Sequence, residues 1–133
     1  MNLPITPVYT AFLAILFLIL SVRTLLLRKK LQQGLGDGGS ALLKRAARAH
    51  GNFSEYVPLA LLLMTFSEVW AAPGWLLHGA GGCLCLGRSL HAYGISQPEE
   101  NLRFRVSGMA LTFGSTALSV GFLFFHWLTQ TAI

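Results

Sequence analysis

Apolar residues gather into four runs along the chain, at 4–27, 56–70, 75–95 and 106–128. A bilayer core is crossed by about 20 helical residues, so the chain has room for four spans and little else. The pattern predicts an all-α integral membrane protein, a four-helix bundle forming one domain over 1–133. The second run is extended backwards by a polar helical half. With Ser40 as its cap, that helix runs to about Trp70, roughly 45 Å at about 1.5 Å per residue. It is therefore expected to protrude beyond the hydrocarbon at one side. Pro58 lies inside it, implying a kink or loosened turn, and Pro73-Gly74 is the tight turn into span three. The segment 32–40 carries Gly34, Gly36, Gly38 and Gly39 and reads as a flexible loop. It lacks the Gly-Lys-Ser/Thr ending of a phosphate-binding loop. The two halves of the chain show no internal repeat.

Composition sharpens this. The chain is 53% hydrophobic and 11% charged, whereas a soluble domain is about 25% charged. Mean hydropathy is +0.58. A polar globular domain is excluded. Arg28, Lys29, Lys30, Lys44, Arg45 and Arg48 cluster between spans one and two, and Arg103 and Arg105 stand at the start of span four. The link at 71–74 is uncharged. By the positive-inside rule the two basic regions are cytoplasmic, and both termini face the other side. Span one is not a cleavable signal peptide, because its basic cluster follows the apolar run. The pI near 9.8 then reports topology and contact with anionic lipid; Arg28-Lys29-Lys30 reads as a stop signal. No basic patch with interleaved aromatics points to nucleic acid.

Candidate chemistry lies at the mouth of span two. Arg48, Asn52 and Glu55 stand at i, i+4 and i+7, within roughly 60° of one another on a helix. Ionisable groups near hydrocarbon need a partner or a wet cavity. A face bearing both charges and an amide suits a zwitterionic polar ligand. In span three, Arg88 and His91 share a face with Ile95, and Gly87, Cys83 and Gly79 form a small-residue ladder for close helix approach. In span four, Arg105, Gly108, Thr112, Ser115 and Ser119 fall within about 80° of each other. Arg48, Asn52, Glu55, Arg88, His91 and Arg105 thus share one depth, and a common polar cavity is expected. A transporter would want such charges near the bilayer midplane, whereas these sit near one edge.

Blander roles stand beside these. Arg48 and Glu55 can neutralise each other, Asn52 can be interhelical glue, and Tyr56 and Tyr93 suit interfacial anchoring. Phe122, Phe124, Phe125 and Trp127 read as lipid-facing. Glu68, near the far interface, is expected to stay solvated. His50, His78 and His126 lack fellow ligands at metal spacing, so no metal site is expected. Cys83 and Cys85 read as small fillers that cannot bridge each other.

These residues resemble the MAPEG family, membrane-associated proteins in eicosanoid and glutathione metabolism. The resemblance rests on Arg48-Ala49, Asn52, Glu55 and Pro58, then Arg88-x-x-His91, then Arg105, in order over nearly the whole chain. The segment 48–59 is similar to the leukotriene synthase branch. The short form, with Asp37-Gly38-Gly39 and Arg105-x-x-Gly108, is similar to small bacterial inner-membrane members. The resemblance implies a homotrimer of four-helix protomers, with glutathione as cosubstrate between subunits and a lipophilic small molecule arriving from the bilayer. It implies that Arg48, Asn52, Glu55 and Tyr56 hold glutathione, that Arg88 and His91 line the same pocket, and that Arg105 stabilises the thiolate.

The implied chemistry is sound. Arginine binds a carboxylate through paired charge-assisted bonds, and Glu55 complements an ammonium. A free thiol has a pKa of about 8.5, and a neighbouring guanidinium favours the nucleophilic thiolate. A two-unit depression corresponds to about 2.7 kcal/mol. Ile95 stands where some members carry a second tyrosine, and Gly51 where prostaglandin-synthase members carry an arginine. Both point to general conjugation or peroxidase activity in place of eicosanoid synthesis. The family also includes a noncatalytic lipid-binding member, which makes a lipid-binding membrane scaffold the alternative.

Overall fold

The computed structural model describes residues 3–99 and 101–131. They form four helices, α1 (Thr6–Leu31), α2 (Ala41–Val69), α3 (Gly74–Ser96) and α4 (Leu102–Thr131). Pro7 sits in the first turn of α1, where its missing N–H costs nothing. The helix runs past the apolar stretch through Arg28, Lys29 and Lys30, since long basic side chains favour a helical last turn. Gln32 ends it in the left-handed region at φ 53°, and the N–H of Gln33 closes back on the Arg28 carbonyl at 3.0 Å. Arg28 also donates to the carbonyls of Gln33, Gly34 and Gly36 at 3.4, 3.3 and 3.0 Å. One member of the basic run therefore clasps the glycine-rich loop.

Ser40 caps α2 as its residue type predicts, its hydroxyl accepting the Leu43 N–H at 3.3 Å. The helix continues through Pro58, whose ring lies on the exposed side. Proline has no N–H to offer the Ser54 carbonyl one turn back. After α2, Ala71 takes φ 57° so that the Ala72 N–H can reach the Ser67 carbonyl at 2.9 Å. Asn101 opens α4 by accepting the Arg103 N–H at 3.0 Å.

The helices run up, down, up, down. Tyr9 meets His78 on α3 and Glu68 on α2 meets the start of α1, while Trp70 stacks on His126 of α4. The most extensive pairing is α3 with α4, and α1 and α4 do not pair among the described residues. Close approach explains that pairing. A Cβ at Gly87 would lie 2.8 Å from the Gly108 carbonyl oxygen, and one at Gly108 would lie 2.6 Å from that of Gly87. Gly94 likewise gives way to the start of α4, where a Cβ would meet Phe104 at 2.8 Å. Thr112, Ser115 and Ser119 are fully buried along the same seam. The Thr112 hydroxyl satisfies itself on the Gly108 carbonyl at 2.8 Å, so it costs no unpaired polar group. Of the expected ladder on α3, Gly87 meets α4 backbone and Cys83 borders a groove beside it, but Gly79 faces outward with nothing within 4 Å.

Two helices, α1 and α4, are long and apolar enough to cross a membrane, with mean hydropathies of 2.3 and 1.6. Only 17% and 22% of their most apolar windows are buried. An apolar helix that turns most of its surface outward is not the core helix of a soluble domain. Phe124, Phe125 and Trp127 point outward as expected, while Phe122 turns inward beside Leu76 and Leu77. Glu68 corrects its expectation. It is 7% exposed, and its carboxylate accepts the N–H groups of Ile5 and Thr6 at 2.7 and 2.8 Å. The start of α1 has unsatisfied donors and a positive dipole end, which draws the acid inward.

Candidate functional site

The polar residues singled out in the sequence lie in one half of the bundle, toward the α1–α2 and α3–α4 connections. Arg88 stands at its centre, eight residues before the end of α3 and about 12 Å along the axis from it. It is 0% exposed. Its Nη2 donates to Asn52 Oδ1 on α2 at 2.6 Å, and its Nη1 lies 3.7 Å from the sulfur of Met109 on α4. The guanidinium carbon sits 5.7 Å from the ring centre of Phe53 and 5.9 Å from that of Tyr56. Tyr56 is in turn braced edge-on by Phe113 of α4 at 5.8 Å. A buried cation is tolerable because a charge-assisted bond and two aromatic faces replace its water.

Arg48 and Glu55, two turns apart, take the open side of the same stretch of α2. Their side chains are 61% and 53% exposed and lie 3.9 Å apart. Such a pair is worth less than about 1 kcal/mol, so it is easily opened to receive a ligand's charges. Asn52, half-buried, stands between them in sequence on α2 and accepts the bond from the buried Arg88. Glu55 and Tyr56 both lie within electrostatic reach of Arg88.

His91 is 3% exposed, one turn beyond Arg88 and packed against the Gly108 backbone. Arg48, Arg88 and Arg105 all lie within electrostatic reach of it. Arg105 is half-buried and packs over Gly94. Arg88 Nε and His91 Nδ1 are buried without a hydrogen-bond partner among the described residues. The seven residues singled out thus fall into three tiers. Arg48 and Glu55 are open, Asn52, Tyr56 and Arg105 are half-buried, and Arg88 and His91 are enclosed.

Sequence inspection missed three neighbours, Phe53, Met109 and Phe113, which pack the arginine and the tyrosine. Phe53 carried a signal, since an aromatic beside Asn52 at core spacing from Ala49 and Val57 belongs on the buried side. Met109 and Phe113 carried none, because their place depends on the register of α4. Tyr93, the other tyrosine at this end, is 55% exposed and rests on Phe104. Below the polar tier, α2 and α4 enclose an apolar groove of about 600 Å³ lined by Leu63, Phe66, Trp70, Val120, Leu123, Phe124 and Trp127. Among the described residues no group of three His, Cys, Asp or Glu side chains is placed to hold a metal ion.

The chain matches the model of the MAPEG family over residues 6–125. It is 36% identical over 116 residues to inner membrane protein YecN of Escherichia coli strain K12, a match covering 87% of each chain. The protein of the same name from Escherichia coli O6:H1 strain CFT073 matches to the same extent. No solved structure gives a significant match.

Proposed function

The chain belongs to the MAPEG family, and from that membership we propose that it is a glutathione-dependent membrane transferase or peroxidase acting on lipophilic electrophiles. The observation that carries this is the gathering of Arg48, Asn52 and Glu55 on one face of α2 beside the buried Arg88. Glutathione has two carboxylates, an ammonium, two peptide groups and a thiol. Arg48 suits a carboxylate, Glu55 the ammonium, and Asn52 and Tyr56 the uncharged polar groups. All four helices span the bilayer, the termini face the non-cytoplasmic side, and the likeness to YecN supports an inner-membrane location. Three protomers assemble so that a neighbour roofs the open side of α2, where Arg48 and Glu55 are otherwise left to solvent.

Arg105 stabilises the thiolate, and the thiol proton leaves to solvent. The sulfur then attacks an electrophilic carbon, forming the S–C bond as the leaving group departs with its electron pair. With a hydroperoxide the sulfur attacks the terminal oxygen, breaking the O–O bond and releasing an alcohol and a sulfenic acid. A second glutathione reduces the sulfenic acid to disulfide and water. Proximity and electrostatics supply the catalysis.

Calorimetry on detergent-purified protein tests the proposal. Glutathione is expected to bind at millimolar concentration or tighter, and an analogue lacking the glycyl carboxylate more weakly. Absence of heat with both overturns it. The apolar groove between α2 and α4 favours a second reading, a noncatalytic lipid-binding protein. That version predicts co-purified lipid and no turnover over a broad panel of electrophiles.

A further inference from the structure

Arginine carries donors only, so the atom of Asn52 that faces Arg88 must be the carbonyl oxygen. At 2.6 Å the contact is a short, charge-assisted bond, and turning the amide over would set donor against donor. Arg88 cannot follow such a turn. It is wholly buried, held by the Phe53 and Tyr56 rings, and touches Met109 on a third helix. Asn52 Nδ2 makes no hydrogen bond among the described residues. Its residue is half-buried, and Arg48 and Glu55, four before and three after, stand on the same side of α2.

We infer that Arg88 is a positioning residue that acts through Asn52, fixing the amide so that only donors face the open side of α2. The subsite at Asn52 then takes an oxygen acceptor, a carboxylate or peptide carbonyl, and rejects an ammonium. A ligand bearing both charges is thereby oriented, because its ammonium is left to Glu55. The identity of that ligand as glutathione rests on the function proposed above; the fixed amide does not.

Three variants and two readouts test this in full-length protein in detergent. Asn52→Asp keeps a partner for Arg88 but turns an acceptor toward the ligand. It is expected to unfold at the wild-type temperature or higher and to bind glutathione at least tenfold more weakly. A purely structural asparagine would lose no affinity in this variant, and wild-type affinity overturns the inference. Arg88→Met frees the amide and is expected to weaken binding about tenfold, with Arg88→Lys recovering part of the loss. The second readout needs no ligand. The side-chain amide NMR signals of Asn52 in unliganded protein are expected to shift in Arg88→Met and to stay near their wild-type position in Arg88→Lys. Unchanged signals in Arg88→Met overturn the clamp. Failure of the wild type to bind glutathione overturns the proposed function, while the amide signals still judge the clamp.

Discussion

The carboxylate of Glu68, at the end of α2, accepts the backbone N–H of Thr6 at 2.8 Å and so caps a helix 62 residues away in sequence. Ile5 shares the cap through the other carboxylate oxygen, at 2.7 Å. The link joins the start of the most apolar helix to the far end of the helix that carries Arg48, Asn52 and Glu55. Bonds to a charged acceptor are worth about 1.5–3 kcal/mol each, and an unpaired buried donor costs about as much. Glu68→Ala is expected to destabilise the folded protein by about 3 kcal/mol, read as a lower unfolding midpoint in detergent, and Glu68→Gln by less. Because this cap lies at the end opposite the polar site, glutathione affinity measured below the midpoint is expected to stay at its wild-type level.

The seam between α3 and α4 makes a second prediction. A Cβ on residue 108 would sit 2.6 Å from the Gly87 carbonyl oxygen and 2.7 Å from the His91 nitrogen. Neither atom is at the end of a flexible side chain. Gly108→Val is therefore expected to cost at least about 2 kcal/mol through overpacking, and to displace His91. Gly79→Ala, on an outward face with nothing within 4 Å, is expected to be neutral or to gain up to about 1 kcal/mol in helix propensity. Paired thermal unfolding measurements decide it. Equal losses in both variants would mean that the Gly87–Gly108 contact does not hold the seam.

The four helices were legible because long apolar runs in this chain have few other uses, and Ser40 and Pro73 mark helix starts by local chemistry; of the four expected spans, α1 and α4 are the two long and apolar enough to cross a membrane. That Arg48, Asn52, Glu55, Arg88, His91 and Arg105 fall in one half of the bundle was legible for the same reason, since distance from a helix end converts directly to height; that Arg105 sits level with Gly94, well nearer that end than Arg88, was not. What joins with what was not. Arg88 meets Asn52 and Met109 because of the rotation of three helices about their axes, which no single helix encodes. Glu68 was hidden because its partners are backbone donors at the start of α1, and backbone groups leave no mark in a sequence. Gly79, Cys83 and Gly87 share a spacing, yet only Gly87 faces the close crossing; spacing names a stripe without saying where along it two helices touch.

The pair Arg48–Glu55 separates stability from binding. At 3.9 Å, with both side chains more than half exposed, it contributes less than about 1 kcal/mol to folding. Arg48→Ala is therefore expected to leave the unfolding midpoint almost unchanged while weakening glutathione about tenfold or more, through loss of a carboxylate partner. Added salt should weaken the wild-type affinity and affect the variant less. An unfolding midpoint that falls steeply while affinity holds would make the pair structural and remove Arg48 from the ligand site.

Under the proposed function Arg105 stabilises the thiolate, a role that separates binding from chemistry. It enters α4 beside Gly94, half-buried and, like Arg48, within electrostatic reach of His91. A guanidinium there stabilises the anionic sulfur more than the thiol, so its removal raises the thiol pKa and leaves the peptide part of glutathione bound. Arg105→Ala is expected to lower kcat with an aryl halide about 100-fold, which corresponds to about 2.7 kcal/mol, with a smaller change in glutathione affinity. Arg105→Lys keeps the charge and is expected to recover part of the rate. The ultraviolet absorbance of bound thiolate, followed against pH, reads the cause directly. In the alanine variant its titration should move to higher pH, toward that of free glutathione, and activity should return as pH rises. A variant with the wild-type thiolate titration and a reduced rate would assign Arg105 to holding the electrophile instead.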